Sequence, residues 1–216
     1  MNAIACTVID ARSAAQTASP AITFRLVVDN LLGGRIHMLA LRCQVRIDAR
    51  QRQYTGDEEA RLYELFGDRS QWDRTLHSVT WAQPSMVTPS FDRQIEVNLP
   101  VACTYDLEVA AAKYLHAVRT GEIPLTFLFS GTVLRAGEAG SAFFVEPIPW
   151  DLEASYQMPV AVWQTAMNQF FPGGGWLRVQ RETIDRLQAF RGQHAVVSWD
   201  EAIDLLLQRA DERQPV

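Results

Sequence analysis

The sequence predicts an α+β fold, an antiparallel β-sandwich of about six strands followed by a C-terminal helical region packed on it. Segments that alternate apolar and polar residues dominate up to residue 149, and segments with helical spacing dominate from residue 150 onward. Strands first and helices last is the order of an α+β protein, not of a parallel α/β sheet. The 216 residues, 48% of them hydrophobic and 21% charged, suffice for one core.

Three regions are expected along the chain. Residues 1–20 form a loosely ordered lead-in, residues 21–149 a β-sandwich with short inserted helices, and residues 150–216 a helical region. The first region is rich in Ala, Ser and Thr and ends at Pro20. Chain ends of this kind are commonly poorly ordered unless a sheet holds them.

The first two predicted strands lie at residues 22–29 and 39–47, separated by the turn-forming residues 30–34. The second strand has the clearest pattern in the chain, because a slip of one residue would bury two arginines and expose five apolar side chains. Those five are Leu39, Leu41, Cys43, Val45 and Ile47. One face of this strand is therefore expected to lie in the core.

A short helix is predicted next, since Thr55 and Glu58 form a capping box and a helical apolar stripe runs from it to Gly67. Strands follow at residues 75–81 and 95–103. Pro100 lies in the second of these strands. Proline cannot donate a ladder hydrogen bond, which predicts an edge strand or a bulge at that position.

From Thr104 the apolar period changes to 3.6, which predicts a helix ending at Gly121. A strand over residues 125–133 comes next, with Gly131 indicating a bulge or a close backbone approach. A turn at residues 137–140 then joins it to a hairpin partner at residues 142–146.

The C-terminal region is predicted to contain three helices. The first has an apolar stripe through Val160 and Trp163 and stops at Pro172. A short extended piece at residues 176–179 precedes a helix at residues 183–190. A second capping box, formed by Ser198 and Glu201, starts the last helix.

Charge and cysteine content disfavour several classes of protein. The chain has 20 basic and 25 acidic residues, a net charge of -5, with the basic residues scattered, so no nucleic-acid partner is expected. The 3 cysteines form no CxxC pair and resemble buried apolar residues in a reducing compartment. No signal peptide or membrane-span pattern is present, which favours a cytoplasmic location without membrane insertion.

No catalytic, metal-binding or cofactor-binding residue is predicted. His37, His77, His116 and His194 have no metal-ligand spacing. Ser130 lacks the first glycine of a nucleophile elbow. The glycines at 173–175 are not followed by the Lys-Ser/Thr of a phosphate loop. The residues therefore favour a protein that is not an enzyme and has no cofactor.

Six tryptophans are the most unusual feature, and five of them lie at predicted element boundaries. A boundary tryptophan can bury its ring between sheet and helices while its N–H meets a carbonyl, and this structural interpretation is favoured. The alternative is an interaction surface, since tryptophan is enriched at binding hot spots. Trp163 is expected to be buried and Trp176 partly exposed. The candidate interaction surface comprises Trp176, Gly173, Gly174, Gly175 and Trp150.

Several short motifs carry a resemblance to a known family. They include Leu128-Phe129-Ser130-Gly131-Thr132-Val133, Pro149-Trp150-Asp151, Met158-Pro159-Val160, Phe171-Pro172-Gly173, Trp176-Leu177-Arg178 and Trp199-Asp200. Over about residues 20–210 the chain resembles a bacterial family of unknown function, common in actinobacteria and often encoded near uptake NiFe-hydrogenase genes. The resemblance implies an accessory role near that enzyme and supplies no catalytic residues.

Three functions are therefore expected, in decreasing order of support. The first is a non-enzymatic cytoplasmic accessory protein that binds a protein partner, such as a hydrogenase subunit or a maturation factor. The second is a small-molecule-binding sandwich whose pocket is lined by boundary tryptophans and the Pro172–Gly175 loop. The third is an enzyme with a site assembled through space.

Overall fold

The computed structural model describes residues 3–15, 17–104, 106, 109–136, 143–174 and 177–212. Its nine strands are β1 Ile4–Ser13, β2 Ala21–Asn30, β3 Ile36–Ile47, β4 Val79–Ala82, β5 Ser85–Thr88, β6 Gln94–Ala102, β7 Glu122–Ala136, β8 Phe143–Pro147 and β9 Glu153–Pro159. Its six α-helices are α1 Gly56–Phe66, α2 Trp72–Thr75, α3 Ala110–Ala117, α4 Val160–Phe170, α5 Arg181–Gln193 and α6 Trp199–Asp211. The chain divides into two compact units, Met1–Trp176 and Leu177–Val216.

The strands of the first unit form two antiparallel sheets. One sheet has the order β1-β2-β6, and the other has the order β4-β3-β7-β8, with β5 also pairing with β3 and β9 with β7. The predicted α+β class with an antiparallel sandwich-like core is confirmed. The strands number nine among the described residues, more than the six expected, because short strands and the N-terminal strand also join the sheets.

One apolar core joins the two sheets. All five predicted residues of β3, from Leu39 to Ile47, are buried in it. Phe24 of β2 reaches across to Phe127 of β7, with ring centroids 5.0 Å apart and an edge-to-face angle of 71°. Such pairs add to the stabilisation that comes from burial alone. The register predicted for β3 is therefore the observed one.

The prediction of a loosely ordered lead-in at residues 1–20 is wrong, because β1 occupies half of this segment. Residues Ile4 to Val8 of β1 pair with Asn30 to Leu26 of β2, and the apolar side chains at positions 4, 6 and 8 are buried. A bulge between Val8 and Asp10 interrupts the alternation. A sheet therefore holds this terminus in place, which composition alone did not indicate.

The prediction that the helical region starts at residue 150 is also wrong, because β9 is a strand within that region. It pairs with β7 from Glu122↔Pro159 to Leu128↔Glu153. Its residues Ala154, Tyr156 and Met158 face inward at alternate positions, so β9 extends the sheet. Helices dominate only from Val160 onward.

The helix starts predicted from capping boxes are confirmed at both places. The side chains of Thr55 and Ser198 accept from the backbone N–H groups of Glu58 and Glu201. Each glutamate side chain in turn accepts from the backbone N–H of its cap residue. The helix expected from Thr104 begins later, at Ala110, so Asp106 lies outside it. Residues 105, 107 and 108 and the turn at 137–140 lie outside the described residues.

The helix α4 packs on β1 and β2 of the first unit. Its Trp163 is only 2% exposed and meets the Trp81 ring edge-on, with centroids 6.3 Å apart. The expected burial of Trp163 is confirmed. In the second unit, α5 and α6 contact each other. Among the described residues, no helix is both long and apolar enough to cross a bilayer.

Candidate functional site

Strands β8 and β9 both pair with the same edge of β7, and the residues between them bulge away from it. Strand β8 pairs with residues 132–136 of β7 and β9 pairs with residues 122–128, both antiparallel. The five residues 148–152 therefore lie opposite the three residues 129–131. Hydrogen bonds close both ends of this bulge, from Ile148 N–H to the Gly131 carbonyl and from Phe129 N–H to the Leu152 carbonyl, each 2.9 Å.

Trp150 lies at the tip of the bulge. Its flanking residues Ile148 and Leu152 are buried, and Leu152 N–H donates to the Pro149 carbonyl at 3.2 Å, which tightens the turn. The Trp150 side chain, by contrast, is 93% exposed. Two buried anchors thus hold a large aromatic ring in solvent, and the idea that Trp150 seals sheet against helix is wrong.

Gly131 explains how β7 continues past the bulge. Its φ of 141° lies in a region that side chains rarely adopt, and an added Cβ would lie 2.0 Å from the Ala40 carbonyl oxygen of β3. Only glycine permits this approach of two backbones. The close backbone approach expected at Gly131 is therefore confirmed.

Strand β8 exposes three consecutive apolar side chains, Phe143, Phe144 and Val145, which are 64%, 57% and 67% exposed. Among the described strands, β8 pairs only with β7, so its other edge is open. Val145 pairs with Leu134, and Leu134 pairs with Met38, which makes an apolar row across the outer face of the sheet. This row, the β8 residues and Trp150 are called the β8 surface below.

Two of the other predicted site residues, Gly173 and Gly174, follow the end of α4 and do not belong to the β8 surface. Gly173 adopts a φ of 67°, and Gly174 N–H donates to the Phe171 carbonyl at 3.2 Å. Gly175 and Trp176 lie outside the described residues. The expected exposure of Trp176 therefore stays a prediction.

Two clefts of about 320 Å³ each flank the end of α3, and sequence reasoning missed them. The α1 cleft lies between α1 and α3 and is lined by Arg61, Glu64 and Lys113. The α4 cleft lies between α3 and α4 and is lined by the residues Trp163, Gln164, Asn168, Phe171 and Gly174. His116 and Arg119 line both clefts. The sequence shows no signal for this site, because it is assembled from three separate helices.

His116 is a half-buried imidazole between the two clefts. Its ring meets Trp163 edge-on, with centroids 5.6 Å apart. Burial, together with the charge of Arg119, lowers the pKa of His116 below its ordinary value of 6.5. The imidazole is therefore neutral at pH 7 and offers one donor and one acceptor nitrogen.

A buried polar network supports the backbone beneath these clefts. The Glu58 carboxylate, 2% exposed, accepts from Arg52 at 2.7 Å and from the backbone N–H of Arg119 at 2.8 Å. Burial alone would raise the pKa of Glu58, but the hydrogen bonds from Arg119 and Thr55 and the Arg52 charge outweigh it and lower the pKa. Glu58 is therefore a charged, fully engaged structural group.

A half-buried tyrosine, Tyr54, and a buried one, Tyr114, adjoin this network. The hydroxyls of Tyr54 and Tyr114 are 2.8 Å apart, and Tyr54 also donates to the Ala49 carbonyl at 2.7 Å. Burial raises the pKa of both phenols. Both stay protonated at neutral pH, so this pair joins α3 to the chain before α1 without supplying a base.

The three cysteines are free and buried. Burial raises the pKa of Cys6, Cys43 and Cys103 to about 12, so none is a thiolate at neutral pH. Within the part of the chain that the structure describes, no group of three or more His, Cys, Asp or Glu side chains is arranged to hold a metal ion.

Comparison with known proteins places the chain in a family. Residues 1–215 match the model described as "Family of unknown function (DUF6084)", and the chain belongs to that family. No curated protein matches.

Two solved structures of a β-glucosidase from Kluyveromyces marxianus show a limited likeness to the chain. One is labelled with selenomethionine and the other is in complex with glucose. Each is similar over 73% of this chain with a TM-score of 0.25, at 10% and 11% identity respectively, and each match covers 15% of the β-glucosidase chain. At that TM-score the likeness carries no argument about activity.

Proposed function

We propose that this member of the DUF6084 family is a non-enzymatic accessory protein that binds an extended apolar segment of a partner protein at the β8 surface. The observation that carries this proposal is the open edge of β8, with three consecutive exposed apolar residues beside the exposed Trp150. Edge strands usually carry charges or prolines that prevent pairing with other chains. In β8 the charge of Glu146 is paired with Arg135 and the proline stands at the C-terminal end, so the first three residues of the strand are left apolar and exposed. Such an exposed apolar stretch is typical of a binding surface.

Strand addition is the binding mode that suits this geometry. The outer edge of β8 offers backbone N–H and C=O groups to an incoming strand, and Phe143 and Val145 offer apolar contacts on the outer face of the sheet. Pro147 ends the pairing because it has no N–H group. The added strand would then meet Trp150 at the bulge, where a rigid aromatic ring can act as an anchor.

The partner chemistry follows from the residues of the β8 surface. The row from Met38 through Leu134 to Val145 is uncharged. The partner segment should therefore be extended, apolar and poor in charge. The resemblance described above makes a hydrogenase subunit or a maturation factor the first partner to test, in the cytoplasm.

The test compares partner recovery by the wild-type chain and by Trp150→Ala and Val145→Asp variants, followed by affinity measurement with each purified partner. A hot-spot loss of about 2 kcal/mol corresponds to binding that is weaker by roughly thirtyfold. Tyr63→Ala is the control, since Tyr63 is an aromatic residue on α1 that is 64% exposed and lies outside the β8 surface. A partner that binds all four proteins with equal affinity contradicts the proposed surface.

A further inference from the structure

We propose that the end of α3 is a binding site for a small molecule that carries a phosphate or carboxylate group, with Arg119 as its main anionic contact. This site is separate from the β8 surface and does not depend on the proposed protein-binding function. Arg119 and His116 line both the α1 cleft and the α4 cleft, each of about 320 Å³. Volumes of this size suit small ligands.

The backbone of Arg119 is held from both sides. Its N–H donates to Glu58 Oε1 at 2.8 Å, and its carbonyl accepts from Gln164 Nε2 at 2.9 Å. Arg52 adds a bond of 2.6 Å to the carbonyl of the next residue, Thr120. The exposed guanidinium of Arg119 is thus carried by a fixed backbone, which lowers the ordering cost of binding.

The guanidinium itself is available for a ligand. Among the described residues, no carboxylate lies within ion-pair distance of Arg119, whereas Arg52 is paired with the buried Glu58. An arginine fork binds carboxylate and phosphate groups with two parallel hydrogen bonds. Unlike Arg52, Arg119 therefore has a guanidinium with no carboxylate partner among the described residues.

The α1 cleft adds positive charge. Arg61 and Lys113 line it, and Glu64 is the only acidic residue among its described lining residues. Glu64 forms an ion pair with Lys113, and Arg61 forms one with Asp57 at 3.1 Å. Together with Arg119, the cleft lining carries more positive than negative charge in a chain whose net charge is -5. An anion is the ligand that such a local excess attracts.

The α4 cleft supplies contacts for the uncharged part of the ligand. The Gln164 and Asn168 amides can donate and accept, and Trp163 and Phe171 provide aromatic walls. A few polar groups between apolar walls is the usual composition of a small-molecule pocket. The expected ligand is therefore a small organic anion with a polar body, of which inorganic phosphate is the simplest probe.

The experiment titrates the full-length protein separately with inorganic phosphate and with succinate, and follows backbone amide shifts of residues 115–119 by NMR. We expect saturable shifts with at least one probe. Shifts with phosphate alone indicate a phosphate site, and shifts with succinate alone indicate a carboxylate site. Shifts with both probes indicate a site that accepts either anion. Arg119→Ala should weaken that binding at least tenfold, and it should fold normally because Glu58 and Gln164 bind only the backbone of Arg119.

Arg93→Ala is the matched control, since Arg93 is exposed in the bend just before β6 and lines neither cleft. It should leave the affinity unchanged within twofold. Absence of saturable shifts with both probes overturns the site. Equal affinity in Arg119→Ala and the wild type also overturns it, and neither result bears on the β8 surface.

Discussion

Glu58 and Arg119, 61 residues apart in the chain, are joined by a hydrogen bond of 2.8 Å from the Arg119 backbone N–H to Glu58 Oε1. The same carboxylate oxygen accepts from Arg52, and the other accepts from the Thr55 N–H at 3.2 Å. One side chain therefore caps α1, neutralises a nearly buried arginine and fixes the segment that follows α3. Removal of its charge should affect both helices.

Glu58→Gln should destabilise the fold by about 3 kcal/mol, because it leaves Arg52 without a counter-charge in a nearly buried place. The glutamine also places its NH₂ group opposite the Thr55 N–H, where an acceptor is required. The midpoint of urea denaturation measures this loss. Asp57→Asn, one residue earlier on the same helix, is the control. It removes only an exposed ion pair and should cost less than about 1 kcal/mol.

Acid should weaken the fold through two groups, whose effects begin below pH 6.5 and below pH 4.5. Burial and Arg119 lower the native pKa of His116, so the unfolded chain binds the extra proton and stability falls as pH drops below 6.5. The native pKa of Glu58 is also lowered, so its contribution is complete above 4.5 and is lost as pH drops through the native value.

The losses of stability assigned to His116 and to Glu58 can be separated by substitution. Denaturant midpoints measured from pH 7 to pH 3 should lose the upper step in His116→Gln and the lower step in Glu58→Gln. Arg93→Ala, at an exposed arginine, should keep both steps. An upper step that persists unchanged in His116→Gln would assign it to another group.

Gly131→Ala should destabilise the protein by about 3 kcal/mol or more. The new Cβ would lie 2.0 Å from the Ala40 carbonyl oxygen and would occupy a φ of 141°. Thermal melts compare this variant with Gly174→Ala, for which an added Cβ meets no heavy atom within 4 Å. A nearly neutral Gly131→Ala would mean that β3 and β7 can separate locally without cost.

The three thiols should be inert in the native protein. Their pKa values of about 12 leave almost no thiolate at pH 8, and all three side chains are buried. Reaction with a chromogenic disulfide reagent should therefore be very slow without denaturant and should give 3 equivalents in guanidinium. Fast reaction of one thiol in native buffer would show local opening of a strand.

Trp150 and Trp163 should behave oppositely. Truncation of the buried Trp163 to alanine should cost about 3 to 5 kcal/mol, whereas Trp150→Ala should change stability by less than about 0.5 kcal/mol. In single-tryptophan variants, acrylamide should quench Trp150 strongly and Trp163 weakly. Similar quenching of the two rings would contradict the exposed bulge.

Local patterns were sufficient to predict much of the sandwich. The alternation in β3 and the two capping boxes need only neighbouring residues, and both are observed. The same alternation was present in β9, where Ala154, Tyr156 and Met158 face inward, but Ala and Met are weak strand formers. In β1, the bulge after Val8 shortens the alternating run.

The candidate sites were less accessible to sequence reasoning. Trp150 was identified, but its exposure depends on how many residues lie opposite it in β7, which is a property of register. The clefts at Arg119 need α1, α3 and α4 together. Contacts between helices that are distant in the chain leave no local pattern, so no spacing rule could have indicated them.

The pairing of β3 with β7 also sets the order in which the chain can fold. Ile36 pairs with Arg135 and Ile47 with Leu125, so all of residues 48–124 must be closed into a loop before this pairing forms. The β1–β2 pair needs only a short loop and can form early, and β3 can pair with β4 and β5 first, but its longest pairing must wait for β7. During synthesis, β3 therefore leaves the ribosome long before its main partner, and folding should be slow for a domain of this size.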